Sequence, residues 1–209
     1  MCIRDRDRIV KKITKAGEKT TSHFVPPGTA NYQSPDGLGY DPALARELLA
    51  EAGYPGGKGF PRFEYLFNAA AGGGGKIHEN IAIELQQMWH DELGVSMELR
   101  QVETQVFWGM QSRLDYAICR SSWIGDYNDA NTFLGMFVTG DGNNETDRLK
   151  REKLFQQAET ILVHDEVPIL PLYIYVGINY FDTNKISGIW ENVLDDHPLR
   201  SIKKIRTTP

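Results

Sequence analysis

The feature that most constrains this chain is a change of apolar period that repeats between residues 63 and 120. "FEYLFN" (63–68) is a short aromatic and aliphatic run of strand character. After a glycine run comes "KIHENIAIELQQMWHDELG" (76–94), where Ile77, Ile81, Leu85, Met88 and Trp89 recur at helical spacing and Gly94 marks the stop. "VSMELRQV" (95–102) alternates with the two-residue period of a strand, residues 103–112 read as helix, and "DYAICR" (115–120) reads as a third short strand. This order predicts an α/β fold: parallel strands joined by right-handed crossovers, with helices covering the sheet. Ligands of such sheets sit outside the carboxyl ends of the strands. Three segments leave at that edge: "NAAAGGGGKIH", "ETQ" and "SSWIGDYND".

The flanks are organised around this unit. "MCIRDRDRIVKKITKAG" carries a helical pattern in Ile9, Val10 and Ile13, with Gly17 as its stop and no evident cap. Residues 18–40, with paired prolines and a Ser-Pro-Asp-Gly turn, form an extended connection. In "YDPALARELLAEAGYPGG", Asp41 caps a helix, Pro42 occupies its first turn, Leu44, Leu48 and Leu49 form one face, and Gly53 ends it. Past the third strand, "NTFLGMF" predicts a short helix and "DRLKREKLFQQAETILVHD" a longer amphipathic one. Pro168 and Pro171 make "VPILPLYIYVGINYF" an edge or crossover strand. The tail from Asp182 shows little periodicity.

Composition excludes several classes. With 23 basic and 28 acidic residues and a net charge of −5, the chain has no electrostatic footprint for nucleic acid or an anionic membrane. Cys2 and Cys119 cannot build a disulfide framework or a metal quartet. No run approaches the roughly 20 apolar residues of a membrane span, and no apolar block follows Met1. "AAAGGGGKIH" fails as a phosphate loop because Ala70 stands at its first glycine and Ile77 at its Ser/Thr. "HDE" at 90–92 and at 164–166 reads as two solvated helix ends. Asp141, Asn143, Glu145, Asp147 and Glu152 lie at calcium-loop offsets, but Thr146 and Arg148 occupy the glycine and apolar positions. No reactive constellation is evident, so neither catalysis, a metal nor a cofactor is expected.

Trp108, Tyr116, Trp123 and Tyr127 cluster in sequence beside Arg120 and Asp126. That combination suits a zwitterion or peptide: an apolar wall with one fixed cation and one fixed anion. It suits equally a core tryptophan beside a structural Arg–Asp ion pair.

"RSSWIGDYNDANTFL" resembles a motif of the extracytoplasmic solute-binding proteins that serve bacterial peptide ABC importers, the oligopeptide-binding group in particular. "FVPPG", "ARELLAEAGYP", "LFN" followed by His78, "MWHDELGVSMEL", "GNN", "LFQQAETIL" and "VPILPLYIY" extend the resemblance over residues 7–209 in the family's order. It implies a periplasmic-binding-protein-like, two-lobed clamp that takes up oligopeptides in the periplasm or at the bacterial cell surface. The clamp delivers them to the permease subunits of an ABC importer and performs no chemistry. Contact with the membrane would be only through the permease or a lipid anchor upstream. By resemblance Asp126 meets the peptide α-amine, Trp123 walls the adjacent pocket with Ile124 and Tyr127 beside it, and Arg120 and His78 meet the carboxylate end. Thr104 stands where relatives often have tryptophan, and Gln111 where some have a basic residue.

The resemblance also implies that residues 7–209 are the carboxyl-terminal part of such a protein, with 7–167 mostly the second lobe and 168–209 a segment returning towards the first. A helical stretch usual in the family is missing near residues 146–147. Residues 1–6, "MCIRDR", resemble the translation of a sequencing-library adapter and are expected to be foreign to the fold. Alternative solutes on the same fold are nickel, a sugar oligomer or a metal chelate, and an α/β enzyme is the more distant alternative.

Overall fold

A computed structural model describes residues 3–69, 75–137 and 147–205. The chain forms two compact units, one built from residues up to Thr21 together with Leu38–Ser122, the other from Ser22–Gly37 together with the chain from Trp123 onward. Val163 and Ile169 share one apolar cluster.

The first unit opens with α1 (Arg6–Ile9), which continues as a π-helical turn over Val10–Thr14. Its cap is Asp5, whose carboxylate accepts the Arg8 N–H at 2.8 Å. Ile3 and Ile9 are fully buried, so packing reaches into the residues set apart at the sequence level. The short strand β1 (Lys19–Thr20) is exposed. In α2 (Pro42–Glu51) Asp41 accepts the Leu44 N–H at 3.0 Å and Pro42 sits in the first turn, as expected. Its leucine face is another matter. Leu44 and Leu48 are 38% and 47% exposed, while Ala45 is the buried residue. An alanine lets the helix approach α3 closely, and the Arg46–Glu92 ion pair at 2.6 Å tethers the two there.

The predicted three-stranded parallel sheet is present. It consists of β2 (Phe63–Asn68), β3 (Met97–Val102) and β4 (Ile118–Cys119) in the order β3-β2-β4, so the first strand in sequence is the central one. Phe63 to Asn68 pair in register with Met97 to Val102, and Tyr65 and Leu66 with Ile118 and Cys119. Only these two residues of "DYAICR" join the ladder, although the Arg120 N–H adds a bond to the Leu66 carbonyl at 2.9 Å.

The connections α3 (Gly75–Leu93) and α4 (Thr104–Ser112) cover the sheet. Phe63 of β2 meets α3, its ring 5.4 Å from that of Trp89. Leu66 meets Phe107 and Met110 of α4 instead. Strand alternation assigns the two helices to opposite faces. That explains why Tyr65 to Asn68 are all buried and why "FEYLFN" lacks polar alternation. Leu66 and Phe107 are fully buried, and each side chain contributes about 1.5–3 kcal/mol through its burial.

The second unit packs α5 (Asn131–Leu134) and α6 (Arg148–Thr160), the latter continuing as a π-helical turn over Ile161–Asp165. Val25, Ala130, Phe133, Leu134, Leu162 and Val163 form its core. Within it lies a carboxylate: Glu159 is fully buried and accepts the N–H groups of Phe24 (2.7 Å) and Val25 (2.8 Å) and the Tyr32 hydroxyl (2.5 Å). These bonds fasten the extended segment 22–37 to α6. Of "VPILPLYIYVGINYF", only β5 (Tyr173–Ile174) is strand. The weakly patterned tail holds an antiparallel pair, β6 (Ile186–Ser187) with β7 (Lys203–Lys204). Among the described residues no helix is long and apolar enough to cross a membrane.

Candidate functional site

At the carboxyl edge of the sheet, β2 ends in Asn68, β3 leads into Thr104 at the start of α4, and β4 leads into Arg120. Asn68 is 4% exposed and links the other two. Its Nδ2 donates to Thr104 Oγ1 (3.3 Å), and its Oδ1 accepts from Arg120 Nη1 (3.2 Å). The Thr104 hydroxyl donates to the Ala69 carbonyl at 3.0 Å, and Arg120 Nη2 donates to Ser122 Oγ at 3.3 Å. Arg120 has no carboxylate partner among the described residues, so its charge is available. His78 lies in the first turn of α3. Burial, and then the charge of Arg120, hold its imidazole below the usual histidine pKa. At neutral pH it is a neutral hydrogen-bonding group.

Gln111 lies against this edge, its Nε2 3.7 Å from Cys119 Sγ and 3.5 Å from Ser121 Oγ. Burial pushes the half-buried Cys119 thiol up, and pushes the Tyr65 hydroxyl up to about 12, so neither ionises near neutral pH. Most of the glycine run before α3 lies outside the described residues.

The second unit carries Trp123, Ile124, Asp126 and Tyr127 on one loop, fixed by its own hydrogen bonds. Trp123 Nε1–H donates to the Thr132 carbonyl (2.7 Å), the Asp126 N–H to Thr132 Oγ1 (2.9 Å), and Asn131 Nδ2 to the Tyr127 hydroxyl (2.8 Å). Asn128 Oδ1 accepts the Ala30 N–H at 2.8 Å. A side chain at Gly125 would put its Cβ 2.8 Å from the ring of Phe133, so glycine lets the loop lie on the core.

The sequence left open whether an acid here serves a structural ion pair. One does, and it is Asp129. Arg151 reaches its two oxygens at 2.7 and 3.0 Å and stacks over Phe155 at 4.5 Å. Those bonds hold the Asp129 carboxyl below the usual carboxylate range. The Asp126 carboxylate, by contrast, accepts no hydrogen bond among the described residues, and Trp123, Ile124 and Tyr127 are 42%, 81% and 47% exposed. The candidate residues thus fall into two groups: His78 and Arg120 at the sheet edge of the first unit, and the other four on one loop of the second.

Asn68 was not singled out by sequence. Its signal is a polar residue closing an apolar strand on the ligand edge of an α/β sheet. Among the described residues no three His, Cys, Asp or Glu side chains are placed to hold a metal ion. The rings of His90 and His164 meet the carboxylates of their neighbours Asp91 and Asp165 in exposed helix ends. Asp147, from the calcium-like run, caps α6 by accepting the Lys150 N–H, while Asp141, Asn143 and Glu145 lie outside the described residues.

A parallel α/β sheet with polar groups gathered at its carboxyl edge is a scaffold on which many proteins hold a ligand. Residues 3–145 match the bacterial extracellular solute-binding proteins, family 5 Middle, and the chain belongs to that family. The oligopeptide-binding protein OppA of Bacillus subtilis is 30% identical over 207 residues, covering 86% of this chain and 37% of OppA. The periplasmic murein peptide-binding protein MppA of Escherichia coli is 28% identical, covering 83% and 35%. The chain therefore spans little more than a third of the length of these relatives. Among solved structures, an oligopeptide-binding protein of Borrelia burgdorferi superposes with a TM-score of 0.77 at 27% identity, over 98% of this chain and 44% of that one. The unliganded open form of MppA gives 0.83 at 25% identity, over 97% and 43%. The fold is that of the periplasmic binding proteins.

Proposed function

We propose that this chain is part of an extracytoplasmic protein that captures oligopeptides and hands them to the permease of an ABC importer, without chemistry on the peptide. The observation that carries this reading is the Asp126 carboxylate: it sits on a loop held by hydrogen bonds of its neighbours, and unlike Asp129 it has no partner among the described residues. A peptide α-amine supplies the missing charge and donors. Trp123, Ile124 and Tyr127 offer the apolar wall for the adjoining side chain, and Arg120 with His78 offers a cation and a neutral donor for a carboxylate. The relatives that bear peptide-binding names support the same solute class.

The test is calorimetry on a complete solute-binding protein carrying this sequence, with one tight peptide and its N-acetylated twin, on wild type and Asp126→Asn. Stranding a buried ammonium costs about 2–5 kcal/mol, or roughly 30-fold to several-thousand-fold in affinity. Acetylation and Asp126→Asn should each weaken binding, with strongly non-additive effects. Equal affinity for free and acetylated peptides would refute the anchor.

A further inference from the structure

The structure assigns Asn68 as the positioning residue for Arg120: a buried amide, oriented by Thr104, that fixes the guanidinium while leaving its charge unspent for a ligand carboxylate. The inference rests on the reading of Arg120 as the group that meets the carboxylate end of a peptide. Its physical basis is a chain of commitments across the strand ends. A threonine hydroxyl has one proton, and Thr104 gives it to the Ala69 carbonyl. Only lone pairs of Thr104 Oγ1 then face Asn68, so the amide must turn its NH2 that way and its oxygen toward Arg120. The orientation of the amide, commonly ambiguous, is here settled by chemistry.

Both groups that hold Arg120 are neutral, an amide oxygen and the Ser122 hydroxyl. A carboxylate in either place would fix the guanidinium equally well but would neutralise it. Asparagine positions without neutralising, and because Asn68 is 4% exposed, its bond to Arg120 escapes direct competition from bulk water. The remaining guanidinium donors keep a defined plane, which bidentate carboxylate recognition requires.

The experiment measures, on the complete protein, the affinity of one tight peptide with a free carboxyl terminus relative to its carboxyl-terminal amide. In the wild type the acid should bind at least tenfold more tightly. Asn68→Ala and Thr104→Val, the second of which removes the acceptor that braces the amide, should each lower that ratio at least threefold. Asn68→Asp, of the same shape, should bring it close to one by placing an internal anion on Arg120. A ratio unchanged in Asn68→Ala and Asn68→Asp would overturn the assignment. A second arm needs no peptide. In protein labelled with 15N-arginine, the Arg120 Nη signals should show slowed rotation in the wild type and averaged signals in Asn68→Ala, whereas identical signals in both would overturn it. If no peptide binds the wild type, the functional reading fails while this arm still decides the role of Asn68.

Discussion

Removal of the buried Glu159 carboxylate should cost about as much as truncating a large apolar side chain in the core of the second unit. Its three hydrogen bonds come from two backbone N–H groups and one hydroxyl, all within 2.8 Å, on a side chain with no exposure. Burial, and then the bond to Glu159, raise the Tyr32 hydroxyl pKa, so that group remains a donor throughout the working pH range. Glu159→Ala leaves the Phe24 and Val25 N–H groups without their acceptor, at about 1–3 kcal/mol each. Loss of the Tyr32 bond brings the expected total to at least about 3 kcal/mol. Glu159→Gln keeps an oxygen for the two N–H groups and lets the Tyr32 hydroxyl rotate to accept, so the loss is one of charge assistance, about 1–2 kcal/mol. Urea unfolding followed by circular dichroism measures both. At about 2–4 °C per kcal/mol for a chain of this size, Glu159→Ala should lower Tm by roughly 6–12 °C. A loss below about 1 kcal/mol in Glu159→Ala would show that the segment 22–37 is held by its other contacts and not by this carboxylate.

Two further outcomes follow from the loop that carries Asp126. The folded Asp129 carboxyl titrates below its ordinary value because of Arg151; its ion pair therefore adds stability above the unfolded pKa, near 3.9, and loses it as pH falls through the lower folded value. The pair is partly exposed, so the gap between wild type and Asp129→Asn should be no more than about 1 kcal/mol; it should be constant from pH 7 to 5 and close below pH 4 in urea midpoints. Gly125→Ala drives a methyl group to 2.8 Å from the Phe133 ring and should destabilise by about 1–3 kcal/mol, with peptide affinity falling as the loop shifts; unchanged unfolding and binding would contradict the packing described.

How far the sequence was readable depended on whether a residue's neighbours in space are also its neighbours in the chain. The Asp41–Pro42 start of α2 and the end of α3 at Gly94 are local devices, and the structure places them as read. The same is true of the strand and helix periods from Phe63 to Ser112. The face of α2 was misjudged because periodicity groups Leu44 with Leu48 but is silent on what covers them. The strand expected across "VPILPLYIYVGINYF" shrank to Tyr173–Ile174, since a strand needs a partner edge as well as apolar residues. Asp5 was overlooked as a cap because the residues around it were set aside. The aromatic loop beside Arg120 and Asp126 was visible as a chemical combination. That Asp129, rather than Asp126, holds the structural ion pair depends on Arg151, 22 residues away. The links from Asn68 to Thr104 and Arg120 span 36 and 52 residues and leave no local pattern.

The central position of the first strand has a consequence for how this chain is made. β2 acquires its second neighbour only when Ile118 appears, 53 residues after its partner Tyr65. At a synthesis rate of roughly 5–20 residues per second, that leaves the nascent "FEYLFN" with one bare edge for roughly 3 to 10 s. A run with two aromatic rings flanking a leucine and an unpaired backbone edge is a template for pairing with another nascent chain. Its only acid is Glu64, the residue that later pairs with Arg100. During that interval Glu64 is the one charged side chain within the strand to oppose such pairing, so a neutral residue there should raise aggregation during expression well before it lowers the stability of the finished fold.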